Sequence, residues 1–263
     1  MLNKTKIRLL SFAGILMLAI TIVSFVFVLH FSTGKNTYKS TEQMKGSTQD
    51  TKGSNDYNIL SMGDSVANGT GDVQGKGFAK NYADALQKTT KKTVKVNNLA
   101  VNGDTSDGLL EIVKNEKTKS IIEQADIIFL SIGGNEIKKF VDYNDMESNN
   151  DYEAVKNKYL TNLTTILSIL RSENKTCVIG FVGLYNPYGD HLANEKIELL
   201  EDWNYETQKL LLKDENVFYI PTFDLFQYNQ KNYLTIDSFH PNSDGYQAIA
   251  NRIGEILKTV VPK

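Results

Sequence analysis

Two stretches of this chain, Ile127-Ile128-Phe129-Leu130 and Cys177-Val178-Ile179-Gly180-Phe181-Val182, carry no polar side chain at any position. A strand points successive side chains to opposite faces, so a strand that is apolar throughout must be covered on both. A parallel sheet with helices packed on either side meets that demand. The neighbouring patterns agree. Strands are predicted over Tyr57–Met62, Thr93–Leu99, Asp126–Ile132, Thr176–Val182 and Val217–Phe223. Helical periodicity falls between them, over Phe78–Thr89, Gly108–Gln124, Tyr152–Ser172 and Ala193–Lys213, with a last helix over Gln247–Lys258. Five such units predict one α/β domain over residues 57–263, three layers (α/β/α) on a five-stranded parallel sheet. In an open sheet of this kind, ligands lie beyond the carboxyl ends of the strands.

The first 56 residues obey other constraints. Leu9–Phe31 is a run of 23 residues without Asp, Glu, Lys or Arg, preceded by Lys4, Lys6 and Arg8. As a helix it would extend about 34 Å, enough to cross a bilayer. The basic flank (residues 1–8) predicts a cytoplasmic N-terminus and an exported remainder. A cleaved signal peptide is the rival, with a small-x-small site at Ser32-Thr33-Gly34. The apolar region of such peptides is shorter, about 7–15 residues, so the length favours a single transmembrane anchor over 9–31 in the cell membrane. Residues 32–56 are rich in Lys, Ser, Thr, Gly, Asn and Gln without apolar periodicity, and read as a flexible spacer.

Composition narrows the chemistry. Twenty-nine basic against 31 acidic residues give a net charge of −2, so no basic surplus exists for a nucleic-acid partner. One cysteine, Cys177, and three histidines, His30, His191 and His240, leave no disulfide framework, cysteine cluster or multi-histidine metal site to build. The acidic stretch Asp142–Glu153 lacks the glycine-bearing spacing of a calcium loop and reads as a solvated face.

The strand ends carry the informative residues. After the first strand come Gly63-Asp64-Ser65 and Asn68-Gly69-Thr70-Gly71. A phosphate-binding reading fails on spacing, because Gln74 stands where a dinucleotide fingerprint needs its third glycine and Gly77 where a P-loop needs Ser or Thr. A tight turn, or a serine presented at a strand end, remains. The second strand ends at Asn102-Gly103-Asp104-Thr105, where a glycine can bring a free N–H close to a reacting group, or simply turn into a helix capped by Asp104 or Ser106. The third ends at Gly133-Gly134-Asn135-Glu136: an asparagine donor beside a glycine pair, or an ordinary loop. The last segment, Asp237-Ser238-Phe239-His240-Pro241, decides between these alternatives. Its spacing lets the Asp237 carboxylate reach Nδ1 of His240 and leaves Nε2 facing outward, the arrangement of a base that activates a serine. His30 lies in the apolar segment, and His191 has only the adjacent Asp190.

Taken in order, Gly63-Asp64-Ser65, Gly103, Gly133-x-Asn135 and Asp237-x-x-His240-Pro241 resemble the four sequence blocks of the SGNH/GDSL hydrolases. The layout resembles the membrane-anchored lipase/acylhydrolase branch of Gram-positive bacteria. The resemblance spans Tyr57 to Lys263. It implies a flavodoxin-like fold and ester hydrolysis without metal or organic cofactor, with Ser65 as nucleophile, His240 as base and Asp237 as its orienting acid. It also implies an oxyanion hole from the N–H groups of Ser65 and Gly103 and the Asn135 side chain. Glu136 and Val66 depart from the family's more usual Asp and Leu. Tyr185, Tyr188, Phe226, Tyr228 and Tyr233 are candidates to line an acyl groove, which favours lipid or lysolipid esters. A cell-wall O-acetyl esterase, and a non-catalytic binding module on the same fold, are the alternatives.

Overall fold

The computed structural model describes residues 56–141 and 151–261. The chain divides into two units, Met1–Thr51 and Lys52–Lys263, and the described residues all lie in the second. The tail and anchor expected over 1–31, nearly all of the spacer and most of the acidic stretch lie outside the described residues. Among the described residues, no helix is long and apolar enough to cross a membrane.

Five strands form one sheet: β1 (Asp56–Gly63), β2 (Thr93–Asn98), β3 (Ile127–Ser131), β4 (Val178–Val182) and β5 (Val217–Ile220). All neighbours pair in parallel, in the order β2-β1-β3-β4-β5. This is the flavodoxin-like order, whose switch point, the gap where chain connections leave in opposite directions, lies between β1 and β3.

Alternation along the strands divides the core into two layers. Ile59, Ile127 and Phe129 face one side, where α2 (Gly77–Thr90) and α10 (Ser243–Leu257) supply Phe78, Tyr82, Tyr246 and Ile253. Phe129 receives Phe78 and Tyr82 edge-on, at centroid separations of 5.9 and 5.4 Å. Leu60, Met62, Ile128 and Leu130 face the other side. There they meet α3 (Ser106–Lys114), α4 (Glu116–Gln124), α6 (Tyr152–Glu173) and α7 (Asn194–Leu211) through residues such as Leu109, Ile122, Leu163 and Trp203. β3 is buried at all five positions, as a strand covered on both faces must be. Full burial of each such side chain contributes about 1.5–3 kcal/mol.

The five strands lie where the patterning puts them; the helices differ in places. The single helix expected over Gly108–Gln124 is two, broken at Asn115, whose backbone is extended and whose side chain accepts from Lys117 N–H at 3.0 Å. Asparagine caps helices better than it continues them. Four further helices were not expected: α1 (Ser65–Asn68), α5 (Gly134–Val141), α8 (Phe223–Gln227) and α9 (Gln230–Tyr233). At four or five residues, α1, α8 and α9 are too short to declare a period.

Candidate active site

β1 ends at Gly63, with φ +128°, opposite Ser131 of β3. A Cβ there would lie 1.9 Å from the Ser131 carbonyl oxygen, so the chain can cross β3 this closely only without a side chain. The crossing is fixed by Asp64 N–H, which donates to that same carbonyl at 2.9 Å. The Asp64 carboxylate then caps α1 by accepting from Val66 N–H at 2.9 Å. Ser65 is thereby the first residue of a helix, and its N–H has no intrahelical acceptor. Asp64 itself is buried, and desolvation pushes its carboxyl up to about 7, with help from the nearby Glu136 charge.

Ser65 Oγ lies 2.9 Å from His240 Nε2, and His240 Nδ1 lies 2.7 Å from Asp237 Oδ2. The other oxygen, Asp237 Oδ1, accepts from Thr235 Oγ1 at 2.6 Å and from the N–H groups of Phe239 and His240 at 2.8 and 2.9 Å. Burial alone would raise the Asp237 carboxyl, but the hydrogen bonds from Thr235, His240 and Phe239 outweigh it and hold the group well below the usual range. Ser238 takes a left-handed φ of +56° so that the turn can close around this carboxylate. A non-glycine residue there stores strain, which concentrates at functional sites. The histidine turn docks on the serine loop at Gly71, where a Cβ would meet Pro241 O at 2.5 Å and Thr235 Cγ2 at 2.7 Å. Ser243 Oγ on Asp72 and Tyr246 OH on Thr70 O add further ties between the two segments. His191 is elsewhere, exposed on a 3-10 turn over Gly189–His191. His30 lies outside the described residues.

Gly103, with φ +78°, is exposed with open space where a side chain would project. Asn135 lies in the first turn of α5 and donates Nδ2–H to Asp104 O at 2.7 Å, which leaves the second N–H without an acceptor among the described residues. Asn102 Oδ1 accepts from Asn68 Nδ2 and Thr70 Oγ1, each at 2.8 Å, and so ties the Gly103 loop to the loop after Ser65. The loops carrying Ser65, Gly103 and Asn135 are therefore one hydrogen-bonded assembly. The capping of α3 differs from expectation. Thr105 occupies the cap position without a side-chain bond, and the acceptor for Ser106 N–H is Glu136 Oε1 at 2.5 Å. Sequence reasoning missed this role, since the partners are 30 residues apart. Burial raises the Glu136 carboxyl, and its Oε2 has no hydrogen-bond partner among the described residues.

Beside Ser65 and Asn135 opens a pocket lined mainly by apolar side chains, among them Val66, Ile137, Val141, Leu184, Tyr185 and Leu200. Tyr188 and Phe239 line it as well. Of the aromatic candidates, Tyr185 and Tyr188 are in this wall. Phe226 is fully buried and stacks on Tyr185 at 4.2 Å, Tyr233 packs edge-on against Phe226, and Tyr228 is exposed at 82%. These three are absent from the lining. No group of three or more His, Cys, Asp or Glu side chains among the described residues could hold a metal ion.

Residues 61–248 match the GDSL-like Lipase/Acylhydrolase family. The chain is 33% identical over 234 residues to the uncharacterized protein YpmR of Bacillus subtilis, covering 86% of this chain and 91% of that one. Among solved structures, it is similar to the lipase Lip_vut3 from a goat rumen metagenome, with a TM-score of 0.66 and 21% identity over 76% of this chain and 97% of that one. It is also similar to Axe2, an acetyl xylan esterase from Geobacillus stearothermophilus, with a TM-score of 0.59 and 17% identity over 79% and 97% of the two chains. The extent of the family match and the identity to YpmR show that this chain belongs to the GDSL-like lipase/acylhydrolase family, and that it is an ester hydrolase.

Proposed function

We propose that hydrolysis proceeds through an acyl-enzyme on Ser65, on esters whose acyl group is apolar, such as those of lipids or lysolipids. His240 Nε2 takes the proton from Ser65 Oγ as that oxygen attacks the ester carbonyl, then gives it to the departing alcohol. Water, deprotonated by the same nitrogen, adds to the acyl carbonyl and releases the acid and Ser65 Oγ–H. Asp237 holds the imidazole in the tautomer with Nε2 unprotonated and stabilises its cation. The carbonyl oxygen, negative in each tetrahedral intermediate, is held by the N–H groups of Ser65 and Gly103 and the spare N–H of Asn135. One observation carries the substrate reading: the pocket that contains Ser65 and Asn135 is lined mainly by apolar side chains. An O-acetyl esterase on glycan, the alternative, needs room for one methyl group. Labelling with a fluorophosphonate tests the nucleophile. The adduct is expected on Ser65 by mass spectrometry and absent from Ser65→Ala; folded wild-type protein that stays unlabelled would sink the mechanism.

The sequence supports a site of action as well. We propose that residues 9–31 anchor the chain by a single span, with residues 32–56 as the tether of a hydrolase domain on the outer side. Protease added to intact cells is then expected to remove the domain and leave a membrane-bound N-terminal fragment. A soluble product beginning near residue 35 would instead identify a cleaved signal.

A further inference from the structure

The apolar pocket has a neighbour. Lys138, Pro187, Tyr188 and Phe239 line it and also line a second, larger and more polar groove that runs past Asp190 and Lys231. Residues that face both spaces are the wall between them. The backbone of Phe239 is pinned, its N–H on Asp237 Oδ1 at 2.8 Å and its carbonyl receiving Tyr185 O–H at 2.8 Å. Its ring stands edge-on to His240, at 84° and 5.1 Å between centroids. The other neighbour of the ring is Lys138, whose Nζ lies 5.1 Å from the centroid, within range of a cation–π attraction. Lys138 is exposed on α5, and its ammonium group forms no salt bridge among the described residues.

We propose that the Lys138–Phe239 pair is the partition that sets how long an acyl chain this enzyme accepts, and that the groove beyond takes the chain once the partition is removed. This rests on the reading of Ser65 as nucleophile. With the ester carbonyl held at Ser65 and Asn135, the acyl chain extends along the apolar pocket and gains from each methylene it buries. A chain whose tip reaches the Phe239 ring can lengthen only by displacing it. The ring sits in a contact with one exposed lysine rather than in the core, and truncating it leaves the pinned backbone in place. Of the four residues in the wall, Lys138 and Phe239 thus form the removable part, beside Pro187 and Tyr188.

The test is a series of p-nitrophenyl esters from acetate to dodecanoate, read as kcat/KM with the full chain in a mild non-ionic detergent. In Phe239→Ala, the ratio of decanoate to butyrate turnover is expected to rise about tenfold or more, the scale on which pockets discriminate a few methylenes. Lys138→Ala, which lies further from the histidine turn, is expected to move the ratio the same way by about threefold, the smaller loss matching one cation–π contact. An unchanged ratio in both variants overturns the proposal, and so does a uniform fall at every chain length, which would make the ring a support for His240 only. The underlying reading fails separately, if wild-type protein turns over no ester or Ser65→Ala matches it.

Discussion

In the proposed mechanism, Asn135 puts one amide group to two uses. One N–H is committed to Asp104 O at 2.7 Å, a bond that holds the amide in place and leaves the other N–H for the oxyanion. The donor is therefore oriented before substrate arrives, the condition under which a hydrogen bond to a developing oxyanion lowers a barrier. Asn135→Ala is expected to reduce kcat by about 10²–10³, the usual loss for one such donor, with little change in KM. Full turnover in purified variant would remove the residue from the mechanism. The Ser65–His240–Asp237 line was legible because its decisive spacing, three residues from Asp237 to His240, is local. Glu136 was not. Its surroundings depend on burial and on Ser106, which no spacing near it announces.

Among the elements, the strands were read well because runs apolar on both faces have few homes. Short helices were read poorly, and for α5 the signal was present. Ile137, Phe140 and Val141 bury one face at i, i+3 and i+4, and sequence reasoning stopped at the glycine pair before reaching them. The loops after Ser65 showed glycines that fitted no phosphate motif. Gly71 finds its reason only in three dimensions, as the point where the serine loop touches the histidine turn. Its φ of +97° strains any other residue, and an added methyl would push against Pro241 O. Gly71→Ala is accordingly expected to destabilise the fold by about 1–3 kcal/mol. It should also lower kcat by about tenfold or more, through separation of His240 from Ser65. Wild-type stability and rate together in this variant would show that the docking is slack.

The charges on the whole molecule act on its stability in two separate pH windows. Asp237 has a folded-state carboxyl lower than its ordinary value, so the stability it contributes is present above about pH 4 and is lost as pH falls further. Asp64 has the opposite sign. Its carboxyl rises from 3.8 to about 7 on burial, so between those values the folded state holds a proton that the unfolded chain has released. Stability then falls as pH rises through that window, by an amount on the order of 4 kcal/mol once pH exceeds 7. Raised values for Asp104 and Glu136 add to the same slope. Burying this carboxylate is a standing cost at neutral pH, borne at the residue that caps α1 and seats Ser65. Asp64→Asn keeps an oxygen for Val66 N–H and cannot ionise. Urea unfolding of the full chain from pH 4.5 to 8, where Asp237 stays ionised in both states, isolates the effect. The variant is expected to lose less stability across that range and to exceed the wild type at pH 8. Parallel curves would mean that Asp64 is as well solvated when folded as when unfolded, and that the turn under Ser65 is open to water.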